Sequence, residues 1–116
     1  MKRLLPLALI AASLAATAAE NRGADPIAIA VTLQPKKIHE ECARMEAGQS
    51  RSWQWKSDTP VDFNIHYHRG NEVFFPVQRD ATRGEGGSFT AKHVDDYCWM
   101  WTAREAAAKI EGGIAK

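Results

Sequence analysis

VDFNIHYHR, residues 61–69, decides the fold class. Val61, Phe63, Ile65 and Tyr67 alternate with Asp62, Asn64, His66 and His68. Successive side chains on a strand point to opposite faces, so this period-2 pattern reads as a β-strand with one buried and one polar face. It is the cleanest alternation in the chain and predicts an antiparallel sheet with one solvated side.

Working outward, RGN (69–71) turns the chain and EVFFPV (72–77) forms a further strand, with Pro76 marking an edge or a bulge. Upstream, SDTP (57–60) has turn composition, and SRSWQWKS (50–57) puts Trp53 and Trp55 on one strand face. KIHEECARMEAG (37–48) is two-valued. Ile38, Cys42 and Met45 fit a helix face, while Ile38, Glu40 and Cys42 share a strand face. The following Gly48 and the β-rich remainder favour strand. IAIAVTL (27–33) is a β-branched first strand, and RDATRGEGG (79–87) reads as a mobile loop. SFTAKH (88–93) and DYCWMWT (96–102) are further strands. The tail AREAAAKIEGGIAK (103–116) supports either a helix through Lys109 or a last strand around Ile110. About seven strands, spaced by turn clusters every eight to twelve residues, predict an all-β, Ig-like antiparallel β-sandwich.

The opening MKRLLPLALIAASLAATAA has the three parts of a secretory signal peptide: basic Lys2 and Arg3, an apolar run, and small residues before a cleavage point. The expected division is a signal at 1–19 and a single domain at 20–116. Cleavage would leave 97 of the 116 residues, with two of 15 basic residues removed and none of the 14 acidic ones. The formal charge would be −1, which gives no basic surplus for nucleic acid and no membrane attachment after cleavage. The expected location is periplasmic or secreted. In an oxidising compartment the two cysteines, Cys42 and Cys98, read as one disulfide, with a thiolate metal site or a reactive thiol as the rivals. The bridge would stabilise by about 4 kcal/mol through loop-closure entropy.

The order of landmarks adds a resemblance. EEC in an early strand, an AGQ turn, VDFNI, a Gly-rich stretch before SFTA and a late YCWMWT together resemble the GOLD-type β-sandwich of secretory-pathway cargo proteins. FNIHYH and YCWMW also resemble strings in small exported bacterial proteins of uncharacterised function. The resemblance covers about residues 38–102. It implies a bridge from the early-strand cysteine to the late one, and binding or protein interaction in place of catalysis.

Two histidines at i, i+2 on a strand can reach one metal ion, and Met100 offers a thioether on another strand. Imidazoles with a thioether favour copper. The competing reading is that His66 and His68 continue the polar face begun by Asp62 and Asn64. Trp53 and Trp55 are read either as part of a binding face with Asp62 and Asn64 or as core. No Gly-x-Ser-x-Gly, phosphate-cradling loop or His-Glu-x-x-His motif occurs, so the chain reads as non-enzymatic. The expectation is an exported binding module of unknown protein partner. Its contact surface would be the His66/His68 face together with 79–87. The alternatives are a periplasmic copper-binding protein using His66, His68 and Met100, and a secreted hydrolase inhibitor.

Overall fold

The computed structural model describes residues 25–115. The expected signal peptide lies outside them. The chain forms six strands in order: β1 (Ile27–Leu33), β2 (Ile38–Met45), β3 (Ser50–Arg69), β4 (Glu72–Thr90), β5 (Asp95–Ala103) and β6 (Ala108–Ile114). All pairings are antiparallel. The all-β sandwich class expected from the alternation is what forms, stapled by a disulfide between Cys42 and Cys98.

β3 belongs to both halves of the sandwich. One of its edges pairs with β4 along nearly its full length. Its other edge is divided: Trp53–Ser57 pairs with β6, and Val61–His66 pairs with β5. β6 carries β1 and β5 carries β2. One half is therefore β1-β6-β3-β4 and the other β2-β5-β3-β4. They close on a core of Trp53, Trp55, Phe63, Ile65, Tyr97, Trp99, Trp101, Ile110 and Ile114. Phe89 of the first half packs its ring against Tyr97 and Trp99 of the second, with centroids 5.0 and 6.4 Å apart. Trp55 meets Phe63 at 5.3 Å and Trp101 edge-on at 6.3 Å. The four indole N–H groups are buried without a hydrogen-bond partner among the described residues. Leaving one unmade costs about 1–3 kcal/mol. Burying the ring, about 150–250 Å² at about 25 cal/mol per Å², is worth more.

The structure corrects the turn at 57–60, the loop at 79–87 and the strand count, and it decides the tail. Ser57–Pro60 does not reverse the chain. It lies within β3, where the pairings with β4 skip from Lys56 to Val61, so Pro60, which has no N–H to offer, sits at a gap in the ladders. Side chains hold the kink instead. Ser57 donates to the Thr59 carbonyl (2.6 Å), Thr59 donates to the Ala107 carbonyl (2.8 Å), and Asp58 accepts from the Lys109 N–H (2.8 Å). Residues 79–87 are not a loop but the middle of β4, an edge strand whose glycines make room for its neighbours. A Cβ on Gly87 would come within 2.9 Å of the Trp53 ring. The tail, which fitted either a helix or a strand, is a strand. Gly112 permits its close crossing of β3, since a Cβ there would lie 2.2 Å from the Gln54 carbonyl oxygen. The count is six strands, because 50–57 and 61–69 merge into β3, 72–77, 79–87 and the start of SFTAKH merge into β4, and the tail adds β6.

Turns and bulges have legible causes. Gly70 has a φ of 59° at the first central position between paired Arg69 and Glu72, which suits the two-residue type II′ hairpin. Lys36, at 68°, follows Pro35 in a turn closed by the Lys37 N–H to the Gln34 carbonyl, the type II pattern. Ala81, at 46°, occupies a β4 bulge opposite Val61–Phe63. Its N–H donates to Asp62 Oδ1 (2.9 Å), and the same oxygen accepts from Arg104 (2.5 Å).

A left-handed backbone costs a non-glycine residue about 1–2 kcal/mol, partly offset by the entropy glycine adds to the unfolded chain. Ala81→Gly is therefore expected to raise the urea midpoint, by about 0.5 kcal/mol in stability. Asp62→Ala, which strips the bulge of its acceptor, is expected to lower stability by about 1–2 kcal/mol. A gain in Asp62→Ala would show that the bulge does not depend on this carboxylate.

Candidate functional site

The outward face of β2-β5-β3 carries the even-numbered residues in register, and β4 joins it at Gln78 and, past a register shift, at Val73. Glu40 sits opposite Met100, Met100 opposite Asn64, and Asn64 opposite Gln78. One step along, Cys42 faces Cys98 and Cys98 faces His66. His68 faces Val73. An outward sheet face is ordinarily wet, yet Asn64, His66 and Cys98 are buried here. His66 keeps 5% of its side-chain surface exposed, because neighbours close over it.

Glu40 reaches over β5 from β2 and places Oε1 2.9 Å from His66 Nε2. On the other side, His66 Nδ1 lies 2.7 Å from Asn64 Oδ1, and an amide flip there would offer NH₂ in place of oxygen. The His68 ring stands edge-on to His66 with centroids 5.2 Å apart, and the Phe75 ring lies 5.9 Å away. Burial pushes His66 below the ordinary imidazole value of 6.5. The Glu40 carboxylate pulls against this shift and His68 adds to it. At the far end of β5, the Tyr97 hydroxyl donates to the His93 carbonyl (2.7 Å), and burial raises its pKa.

The cysteines read as a disulfide form one. They are direct cross-strand partners with Cα atoms 4.0 Å apart, Cys42 exposed and Cys98 buried. His66 and His68 share one face, as their alternation predicted, and the β3–β5 register puts Met100 on it. Asp62 and Asn64 share it too, but both are engaged, Asp62 by Ala81 and Arg104 and Asn64 by His66. Trp53 and Trp55 do not belong to a binding face. They are odd-numbered members of β3 and point into the core, 7% and 3% exposed. Both ring nitrogens of His66 are occupied by Glu40 and Asn64. Among the described residues, the one cluster of three His, Cys, Asp or Glu donor atoms within 4.8 Å is Glu40, Cys42 and Cys98.

Two site residues were not legible in the sequence. Glu40 is 26 positions from His66 and meets it only through the β2-β5-β3 order. Phe75 was read as an ordinary strand residue, yet it lies exposed beside the histidines. The adjacent Val73 and Phe74 are exposed too, all three on a strand that pairs on one side only. No family model and no curated protein sequence matches the chain.

A histidine whose folded pKa lies below its unfolded one binds its proton more weakly when folded. Its contribution to stability is present above pH 6.5 and is lost as the pH falls through the lowered folded value. The oxidised protein is expected to lose stability on acidification below pH 6.5, and His66→Gln to lose less over the same interval. Parallel pH profiles for the two proteins, by urea denaturation, would count against the burial argument.

Proposed function

We propose that the chain is an exported, non-enzymatic protein-interaction module with a GOLD-like sandwich, acting in the periplasm or outside the cell. The observation that carries this reading is the tip of the β3–β4 hairpin. Val73, Phe74 and Phe75 are large, apolar and 37–46% exposed, side by side on an edge strand. An unpaired edge with apolar side chains is a template for a partner's extended segment, whose main chain would continue the ladder. Phe75 and Val73 extend the face that carries His66 and His68, so edge and face form one surface. Pro76 has no N–H and limits how far a partner strand can pair along the edge. The disulfide is compatible with an oxidising compartment.

A photo-crosslinking residue at Phe75, introduced in cells that export the protein, is expected to trap one discrete partner, and Phe74→Lys to abolish the adduct. The same probe at Lys109, on the opposite half, is expected to trap none. Equal labelling from both positions would remove the edge as the docking surface.

A second reading rests on the 5.2 Å approach of His66 and His68, with Met100 on the same face: a copper site. It requires His66 to give up Glu40 or Asn64. Titration of the oxidised protein with Cu(I) and Cu(II) is then expected to show one-to-one binding that His66→Ala/His68→Ala lacks. Identical titrations would return the pair to a strand face.

A further inference from the structure

The disulfide joins β2 to β5 across the outward face, and its two ends are unlike. Cys98 is 7% exposed. On its far side stands His66, its cross-strand partner in β3, which is buried as well. Cys42 is exposed, on a strand that pairs with β5 alone and forms an edge of the sheet. A thiolate attacks a disulfide sulfur from the side opposite the bond it breaks, so access to each sulfur decides which one is attacked. Approach to Cys98 from that side meets the packed imidazole. Approach to Cys42 comes over the free edge of β2.

We propose that Cys42 is a thiol–disulfide exchange site, opened by a thiol that arrives over the β2 edge, with Cys98 as the leaving sulfur. Exposed disulfides are the exchangeable ones. The ladder makes this exchange reversible. Ile38–Glu41 pairs with Trp99–Thr102 on one side of the bridge, and Ala43–Met45 with Asp95–Tyr97 on the other. These pairings hold β2 in register when the bridge opens, so Cys98 stays opposite Cys42 and can close the bond again. Glu40 screens the site. One of its carboxylate oxygens lies within 4.8 Å of both sulfurs. Arg44, the next outward residue of β2 beyond Cys42, is paired with Asp96 at 3.5 Å. The carboxylate repels an incoming thiolate, and most strongly a thiol that carries further negative charge.

The steps balance. An external thiol loses its proton to solvent, and its sulfur bonds to Cys42 Sγ as the Cys42–Cys98 bond breaks. Cys98 leaves as a thiolate and takes a proton from solvent. A second thiol of the same reductant then attacks the mixed disulfide, which closes the reductant's own sulfur–sulfur bond and frees Cys42 as a thiol. The bridge has gained two electrons and two protons, and the dithiol has lost them. A monothiol stops at the first step, which Cys98 reverses. The co-substrate is therefore a dithiol without excess negative charge. The site uses no residue of the hairpin tip, so its failure leaves the interaction reading untouched.

The test begins from the folded, oxidised protein, so it does not depend on whether the unbridged chain stays folded. The protein is exposed briefly to 2-mercaptoethanol, which is neutral, or to glutathione, which is anionic. Acid then stops the exchange, and peptide mass spectrometry locates the mixed disulfide. The adduct is expected on Cys42 in about tenfold or greater excess over Cys98, and in urea the two cysteines should be labelled alike. Glu40→Gln is expected to speed the reaction with glutathione about threefold and that with 2-mercaptoethanol less, with the difference fading at high salt. An adduct on Cys98, equal labelling in the folded protein, or no adduct before the chain unfolds would each overturn the exchange site. Rates unchanged in Glu40→Gln would overturn the screening by its carboxylate.

Discussion

Everything in this fold depends on β3 keeping the same side chains inward from one end to the other. Its twenty residues pass from one half of the sandwich to the other and change neighbours from β6 to β5. Arg51, Trp53 and Trp55 face inward before the irregular stretch, and Val61, Phe63 and Ile65 do so after it. All are odd-numbered. A slip of one residue at 57–60 would turn every side chain beyond it to the opposite face. Phe63 and Ile65 would then lie in water and His66 in the core. The contacts of Asp58 and Thr59 with the start of β6 and the segment before it, and of Ser57 with the Thr59 carbonyl, hold the kink to a bend without a slip.

The same constraint creates the site. Because β3 and β5 pair from Val61 to His66, the outward row brings Asn64, Met100, His66 and Cys98 into contact, and β2 adds Glu40 and Cys42. The disulfide lies inside this row. It staples β2 to β5 directly beside His66, so its state and the environment of the imidazole are linked by adjacency. The carboxylate, the imidazole and the amide satisfy one another in the oxidised protein. A face that alternation alone would leave wet is thereby closed.

β4 shows the other side of the design. A nineteen-residue edge strand invites uncontrolled pairing. Pro76, the bulge at Ala81 and the glycines at 84, 86 and 87 interrupt it, and charged Arg79, Arg83 and Glu85 line its middle. The interruptions are sparse near the hairpin, where Val73, Phe74 and Phe75 remain exposed. Protection along most of the edge is absent at one end, and the interaction reading proposed above rests on that open end.

The sequence by itself determined what is local. The alternation at 61–69 gave a half-buried strand, RGN gave the hairpin turn, and the even cysteine count gave the bridge that the structure contains. It also placed His66 and His68 together on the polar face of β3, because period 2 needs no knowledge of neighbours. The sequence misread 57–60 and 79–87, because composition registers proline and glycine but not whether a backbone group there has a partner to lose. Proline is tolerated in β3 only because the ladders have a gap, and glycine is required in β4 because a tryptophan packs on it. Only the tertiary structure decided that Trp53 and Trp55 face the core, that the tail is a strand, and that Glu40 meets His66. These depend on strand order, and strand order is fixed by burial summed over the whole chain.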